Sequence, residues 1–321
     1  MVNAGERPLG LYVELPLDES GRARLRRLGT GSVWFAEPGT VSAADARALA
    51  DADIALGNPG ADRVAEAPRL RWLQLASVGI DDYLGLDWPV LGRRLTVTNL
   101  GDVFAGPVAE SCLAGILALH RGIDELCGLR SRGTWAKSEV RPRLRLLAGA
   151  HVLVLGRGSI ARRFAELLGP FDCRVSHFAR GSGDIRTPAE LDVRLPDFDV
   201  VVGLLPGTPG TRGLLDARRL ARMRPGAVLV NAGRGSLVDE EALVSELSSG
   251  RLGGAVLDVT DTEPLPAGHP LWTCPNVVLT QHTAGGSTDE GVRVIDLFAE
   301  NLHRFVTGTP LRNPVRWDRG F

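Results

Sequence analysis

The chain has 321 residues, a formal net charge of −1 and no block of like charge, which argues against a nucleic-acid surface or an acidic membrane as its partner. Its length suits two domains of roughly 150 residues each, and a small molecule is the expected partner. Cys112, Cys127, Cys173 and Cys274 show neither Cys-x-x-Cys spacing nor a neighbouring histidine cluster. Neither a disulfide framework nor a zinc site is suggested, no metal is expected, and the four read as reduced thiols, most of them buried.

The N-terminal stretch Met-Val-Asn-Ala-Gly-Glu-Arg-Pro has no apolar h-region, and no run approaches the 18 apolar residues of a membrane span, so a cytoplasmic protein is expected. The first hundred residues alternate short β-rich runs, Leu11–Leu15, Ser32–Ala36, Asp53–Leu56, Trp72–Leu75 and Thr96–Thr98, with helical stretches such as Ala43–Ala50. Such alternation indicates a parallel α/β sheet that forms a domain of its own. From Gly106 to His120, Ala109, Leu113, Ile116 and Leu117 mark a strongly apolar helix suited to bridging domains or packing between subunits. An arginine-rich segment from Arg130 to Arg145, containing Trp135, reads as a surface excursion.

His151–Leu155 is a short apolar run that stops in Gly156-Arg157-Gly158-Ser159-Ile160-Ala161, after which Phe164, Leu167 and Leu168 continue a helical stripe begun by Ile160. Glycines between a strand and a helix are the setting in which Gly-x-Gly-x-x-Ala cradles a pyrophosphate. The first permits the turn, the second lets backbone approach the phosphates, and the third position allows close helix packing. Uncapped N–H groups and the helix dipole then hold the anion. Further strands follow at Cys173–Phe178, Asp199–Leu205, Ala227–Asn231, Gly254–Asp258 and Val277–Thr280, and a helical stretch with Val292, Ile295, Phe298, Leu302 and Phe305 closes the chain. The expected fold is therefore α/β, with two doubly wound, Rossmann-like parallel sheets and a cleft between them.

Ligands of open parallel sheets bind beyond the carboxyl ends of the strands. There the second sheet places an arginine, an acid and a histidine. Arg234 can hold a substrate's carboxylate and keto oxygens by its planar fork, and its permanent charge stabilises a developing alkoxide. His282, as imidazolium, can donate the proton that the alkoxide needs. Glu263, accepting a hydrogen bond from the other ring nitrogen, stabilises the charged imidazole. Taken singly, Arg234 is a surface arginine in a glycine loop, Glu263 a solvated turn acid before Pro264, and His282 a loop cap. Their joint placement after three strands of the sheet that carries the glycine turn favours chemistry.

At these residues the chain resembles the D-2-hydroxyacid dehydrogenase family. The matching segments are Val-Leu-Gly-Arg-Gly-Ser-Ile-Ala at 154–161, Leu-Leu-Pro-Gly-Thr-Pro-Gly-Thr at 204–211, Val-Asn-Ala-Gly-Arg-Gly-Ser-Leu-Val-Asp at 230–239, Leu-Asp-Val at 257–259, Glu-Pro-Leu-Pro at 263–266 and Leu-Thr-Gln-His-Thr-Ala-Gly at 279–285. A weaker likeness covers Ala-Ser-Val-Gly-Ile-Asp at 76–81, Val-Thr-Asn at 97–99 and Pro-Val-Ala-Glu at 107–110. The resemblance implies that Arg234, Glu263 and His282 are catalytic, that Asp258 binds the nicotinamide carboxamide, and that Val78 and Gly79 hold the substrate carboxylate through their backbone, beside Arg234 and His282. It also implies a substrate domain of residues 1–100 with 285–321, a dinucleotide domain of residues 101–284, and a homodimer. With the strand-end rule, the expected cofactor-binding set is Gly156, Arg157, Gly158, Ser159, Ile160, Arg180, Pro206, Thr211, Ala232 and Asp258.

Two positions depart from the family pattern. Gln281 stands where proline usually precedes the catalytic histidine, which alters the loop or adds a polar contact there. At the end of the second strand of the nucleotide domain, where NAD users carry an acid for the ribose 2′-OH, this chain has Ala179 followed by Arg180. An arginine pairs with a 2′-phosphate that a carboxylate would repel, so NADP(H) is favoured over NAD(H), with Ser182 as a second contact. The reading is reduction of a short 2-keto acid, such as glyoxylate or hydroxypyruvate, to a D-2-hydroxy acid, or the reverse. Alternatives are a dehydrogenase of a dedicated biosynthetic intermediate and a dinucleotide-sensing, corepressor-like binding protein.

Overall fold

The computed structural model describes residues 8–29 and 31–317. The chain divides into two compact units: one runs to Val103 and resumes at Ser287, and the other is Phe104–Gly286.

The first unit is built on β1 (Leu11–Glu14), β2 (Val33–Ala36), β3 (Ile54–Gly57), β4 (Trp72–Gln74) and β5 (Thr96–Thr98). All pair in parallel, in the order β2-β1-β3-β4-β5. β1 and β3 are apolar along nearly their whole length because both faces of the sheet are covered, and such strands read as continuous runs rather than alternating ones. One face packs on a cluster that includes Tyr12, Leu49, Ala55, Leu73, Tyr83 and Val97. The returning helix Glu290–Thr307 stacks Phe298 on Trp72, with ring centroids 5.1 Å apart.

The second unit has β6 (His151–Leu155), β7 (Arg174–Phe178), β8 (Val200–Gly203), β9 (Val228–Asn231), β10 (Gly254–Leu257) and β11 (Val277–Leu279). They form one sheet in the order β11-β10-β9-β8-β6-β7, again wholly parallel. Successive side chains point to opposite faces. Val152, Val154, Val200, Val202, Val228, Val230 and Val256 thus enter one core, with Ala161, Phe164 and Leu168 of the helix Ser159–Leu168. Leu153, Leu155, Val201, Leu229, Ala255 and Leu257 enter the other. The strand order reverses at β6 and β8, so a crevice opens at the carboxyl end of β6, where the glycine turn lies.

Three sequence readings need correction. Among the cysteines only Cys112 is buried, while Cys127 is exposed and Cys173 and Cys274 are half-buried, although all four are free thiols. The apolar helix begins at Gly101 rather than Gly106 and is, by length and composition, the one helix among the described residues that could cross a membrane. Val108, Ala109, Cys112 and Ile116 nevertheless pack into the core with β6, β8, β9 and β10. The segment read as an excursion holds a helical turn, Lys137–Val140, whose Val140 is buried. Trp135, 90% exposed, does lie at the surface.

Candidate active site

The glycine turn has the geometry that a diphosphate needs. Gly156 leaves β6 at φ 123°, a backbone region that side chains rarely adopt, and a Cβ there would stand 3.1 Å from the Leu204 carbonyl oxygen. Gly158 opens the helix Ser159–Leu168 with no side chain capping it, and space around its Cβ position is open. Ala161, at the third position of the motif, is buried against the sheet. An uncapped helix start above an open glycine suits a pyrophosphate, so these residues fit a dinucleotide.

The end of β7 is tied back to this turn. His177 Nδ1 lies 3.0 Å from the Gly156 carbonyl oxygen, and Arg157 donates from Nη1 to the Ser182 carbonyl. Arg180 is exposed, and its guanidinium lies over Gly210, where a Cβ would come within 2.6 Å of Nη2. The acid of this loop, Asp184, accepts the His177 backbone N–H at 2.8 Å. In the loop after β8, the Thr211 hydroxyl donates to the Pro206 carbonyl at 2.6 Å and accepts from Thr208 N at 2.9 Å, so it closes its own loop. Ala232 N donates to the Gly203 carbonyl at 3.1 Å, which fixes the end of β9 to β8.

Arg234 is placed by a residue that sequence reasoning missed. Asn231, the buried last residue of β9, donates from Nδ2 to the Arg234 carbonyl at 2.9 Å and accepts from Gly233 N at 3.3 Å. Gly235 presses on the next strand's loop: a Cβ there would stand 1.9 Å from the Thr260 carbonyl carbon. On the other side of the arginine, a Cβ at Gly233 would stand 2.7 Å from the Leu205 carbonyl oxygen, so each flanking glycine is held against the backbone of a different neighbouring loop.

Glu263 and His282 meet. His282 Nδ1 lies 2.6 Å from Glu263 Oε2, and Glu263 Oε1 accepts the Thr260 N–H at 3.0 Å. Both side chains are partly exposed, with the remaining ring nitrogen, Nε2, available to a substrate. Gln281 and His282 occupy left-handed backbone, φ 54° and 57°, as the two central residues of a turn closed by Thr283 N donating to the Thr280 carbonyl at 3.2 Å. A proline ring holds φ near about −65°, so this turn excludes the residue usual in the family at position 281.

Asp258 holds that turn. Its Oδ1 accepts from the Thr280 hydroxyl at 2.6 Å, Thr283 N at 2.9 Å and Ala284 N at 3.0 Å, and its own carbonyl accepts from His282 N at 2.6 Å. A short polar residue ending an apolar strand was the available signal at Asn231 and Asp258. Their bonding partners, 2 to 26 residues away along the chain, carried none.

Val78 and Gly79 belong to the first unit. Their loop is braced by Asn99 Nδ2 donating to the Val78 carbonyl at 3.1 Å and by the Ser77 hydroxyl donating to the Gly79 carbonyl at 2.7 Å. Neither backbone N–H has a protein acceptor among the described residues.

A doubly wound sheet with a dinucleotide turn, an arginine and a carboxylate-bound imidazole at its strand ends defines a nicotinamide-dependent oxidoreductase. Residues 113–284 match the model of the D-isomer specific 2-hydroxyacid dehydrogenase NAD-binding domain. The chain is 31% identical to a hydroxyphenylpyruvate reductase of Plectranthus scutellarioides over 96% of both chains, and 34% identical to a glyoxylate reductase of Thermofilum pendens over 75% of this chain and 74% of that one. A D-isomer specific 2-hydroxyacid dehydrogenase of Xanthobacter autotrophicus, solved with NADPH and MES, superposes with a TM-score of 0.81 at 28% identity, covering 98% of this chain and all of its own. The chain belongs to the D-isomer specific 2-hydroxyacid dehydrogenase family. It is an enzyme that transfers hydride between a nicotinamide coenzyme and a small 2-keto acid, giving a D-2-hydroxy acid.

Proposed function

We propose that the protein is an NADPH-preferring reductase of short 2-keto acids, glyoxylate or hydroxypyruvate, with Arg234, Glu263 and His282 as its catalytic set. The observation that carries this reading is the 2.6 Å contact between His282 and Glu263 on the sheet edge that bears the glycine turn. The bound coenzyme supplies the hydride. His282, held by Glu263 through Nδ1, delivers the proton from Nε2 to the oxygen that the hydride leaves charged. Arg234 neutralises the substrate carboxylate and the same oxygen. The Val78 and Gly79 N–H groups are donors of the kind that a carboxylate takes.

The coenzyme preference rests on Arg180, which lies two residues beyond β7 without a neighbouring free acid, since Asp184 is engaged by the backbone. A 2′-phosphate would find a guanidinium there, and Ser182 lies two residues on. We further infer a homodimer, supported by the exposed Ile123, Leu126, Trp135 and Leu146, and a cytosolic location, supported by four free cysteines.

The test is steady-state turnover on glyoxylate, hydroxypyruvate and hydroxyphenylpyruvate, each with NADH and NADPH. Expected is the highest kcat/KM for a short acid with NADPH. A clear NADH preference overturns the coenzyme reading. Dinucleotide binding without turnover of any acid would instead favour a sensing role.

A further inference from the structure

Glu240 opens the helix Glu240–Ser248 in the chain segment that follows Arg234. Capping that helix falls to its neighbour Asp239, whose side chain accepts from Ala242 N at 3.0 Å. The Glu240 carboxylate reaches away from its own element. Oε1 accepts the Asp261 N–H at 2.7 Å, in the middle of the turn that carries Glu263. Oε2 lies 3.7 Å from His269 Nε2. His269 Nδ1 accepts from Leu271 N at 3.3 Å, which leaves the hydrogen of the neutral ring on Nε2, facing Glu240. Side-chain exposure is 15% for Glu240 and 27% for His269, so water competes weakly for the Asp261 bond and for the His269 contact.

The Thr260–Asp261 peptide is thus gripped on two sides. Gly235 packs against its carbonyl carbon, and Glu240 takes its N–H. One residue before, the Thr260 N–H fixes Glu263 Oε1 while Oε2 holds His282. If the Thr260–Asp261 segment shifts as a whole, the adjoining Thr260 N–H moves with it, and the Glu263 carboxylate loses both its backbone bond and its aim at the imidazole.

We propose that Glu240 is a positioning residue for proton delivery: by holding Asp261 N–H it fixes the turn that presents Glu263 to His282, while His269 orients the Glu240 carboxylate. The proposal rests on the reading of Glu263 and His282 as the catalytic pair.

The test uses the full-length enzyme with NADPH and glyoxylate. Glu240→Gln keeps an acceptor oxygen for Asp261, and its kcat should stay within about threefold of the parent. Glu240→Ala should lower kcat on the order of 10–100-fold while KM for NADPH moves by less than about threefold, as for a misplaced catalytic group. Glu240→Asp keeps the charge at the helix start but withdraws the acceptor, so it should fold normally and show the same loss. Because Glu240 acts through Glu263, Glu240→Ala combined with Glu263→Gln should be no more than about threefold worse than Glu263→Gln alone. Parental kcat in both Glu240→Ala and Glu240→Asp, or multiplicative losses in the double variant, overturns the proposal alone. Parental kcat in Glu263→Gln overturns it together with the catalytic reading.

Discussion

The sheet β2-β1-β3-β4-β5 and the sheet β11-β10-β9-β8-β6-β7 are both wholly parallel, yet their carboxyl ends carry different chemistry. At the end of β1, Glu14 is bound by the Tyr12 hydroxyl at 2.7 Å and by Arg63 at 2.7 Å, and Arg63 also reaches Tyr12 at 3.0 Å. Burial first, and the bond to Glu14 second, push the Tyr12 hydroxyl up to about 12. This network joins β1 to the helix Ala61–Ala65, and what the loop after β4 presents is backbone N–H. The second sheet instead presents side chains, Arg234, Glu263 and His282, each in a loop pinned by a polar residue. Parallel layering thus decides where strand ends gather, while buried Asn231 and Asp258 hold the loops that carry Arg234 and His282 in place.

If this contrast holds, variants should separate turnover from stability. The largest effect is expected for Arg234→Ala, with kcat/KM for glyoxylate lowered by about 10²–10³-fold and NADPH affinity little changed; turnover assays and coenzyme titration check it. In the other sheet, Arg63→Met leaves the 9%-exposed Glu14 carboxylate without its cation and should cost about 3 kcal/mol in chemical denaturation. A stability change within error would mean that this network is not structural. Asp258→Ala removes the acceptor of three loop donors and should lower kcat about 10²-fold through His282, in line with the cost of a small displacement at the chemistry. Replacing Gln281 by Gly in that background should restore part of the loss, because glycine takes left-handed backbone without strain.

A smaller shift is expected at the coenzyme. Arg180→Ala should reduce the NADPH over NADH preference by roughly tenfold, the loss of one charge-assisted contact, read as a ratio of kcat/KM values. The smallest concerns His120, which ends the apolar helix 4% exposed, with Nδ1 lacking a partner among the described residues. Burial first, and Arg145 second, hold its ring down to about 4 from 6.5, against a weaker opposing pull from Asp199. The folded state therefore keeps it neutral. Stability from this group is complete above pH 6.5 and is lost as pH falls toward 4. His120→Leu should recover about 2–4 °C of the Tm lost between pH 6.5 and pH 5.

Much of this was legible in the sequence because buried parallel strands are apolar along their whole length and stop at glycines or polar residues. His151–Leu155 and Thr96–Thr98 are strands over the residues that the pattern gives. Arg234, Glu263 and His282 stood out because each follows a strand of one sheet. Asn231 did not, and Asp258 was expected only at the coenzyme, since a hydrogen bond from Asn231 to the Arg234 carbonyl, or from the Ala284 N–H to Asp258, depends on how the loops turn back. The helix Ile123–Ser131 has no buried residue, so it leaves no apolar stripe to read. Left-handed backbone at Gln281 and His282 likewise contradicts local preference, and it persists because Asp258 supplies four acceptor bonds around it.

The most direct measurement is turnover of the His282→Ala variant on glyoxylate with NADPH, alongside its coenzyme affinity. The account predicts kcat lowered by at least about 10²-fold with the NADPH Kd within about threefold of the parent. Parental turnover in that variant would contradict the assignment of proton delivery to the His282 and Glu263 pair.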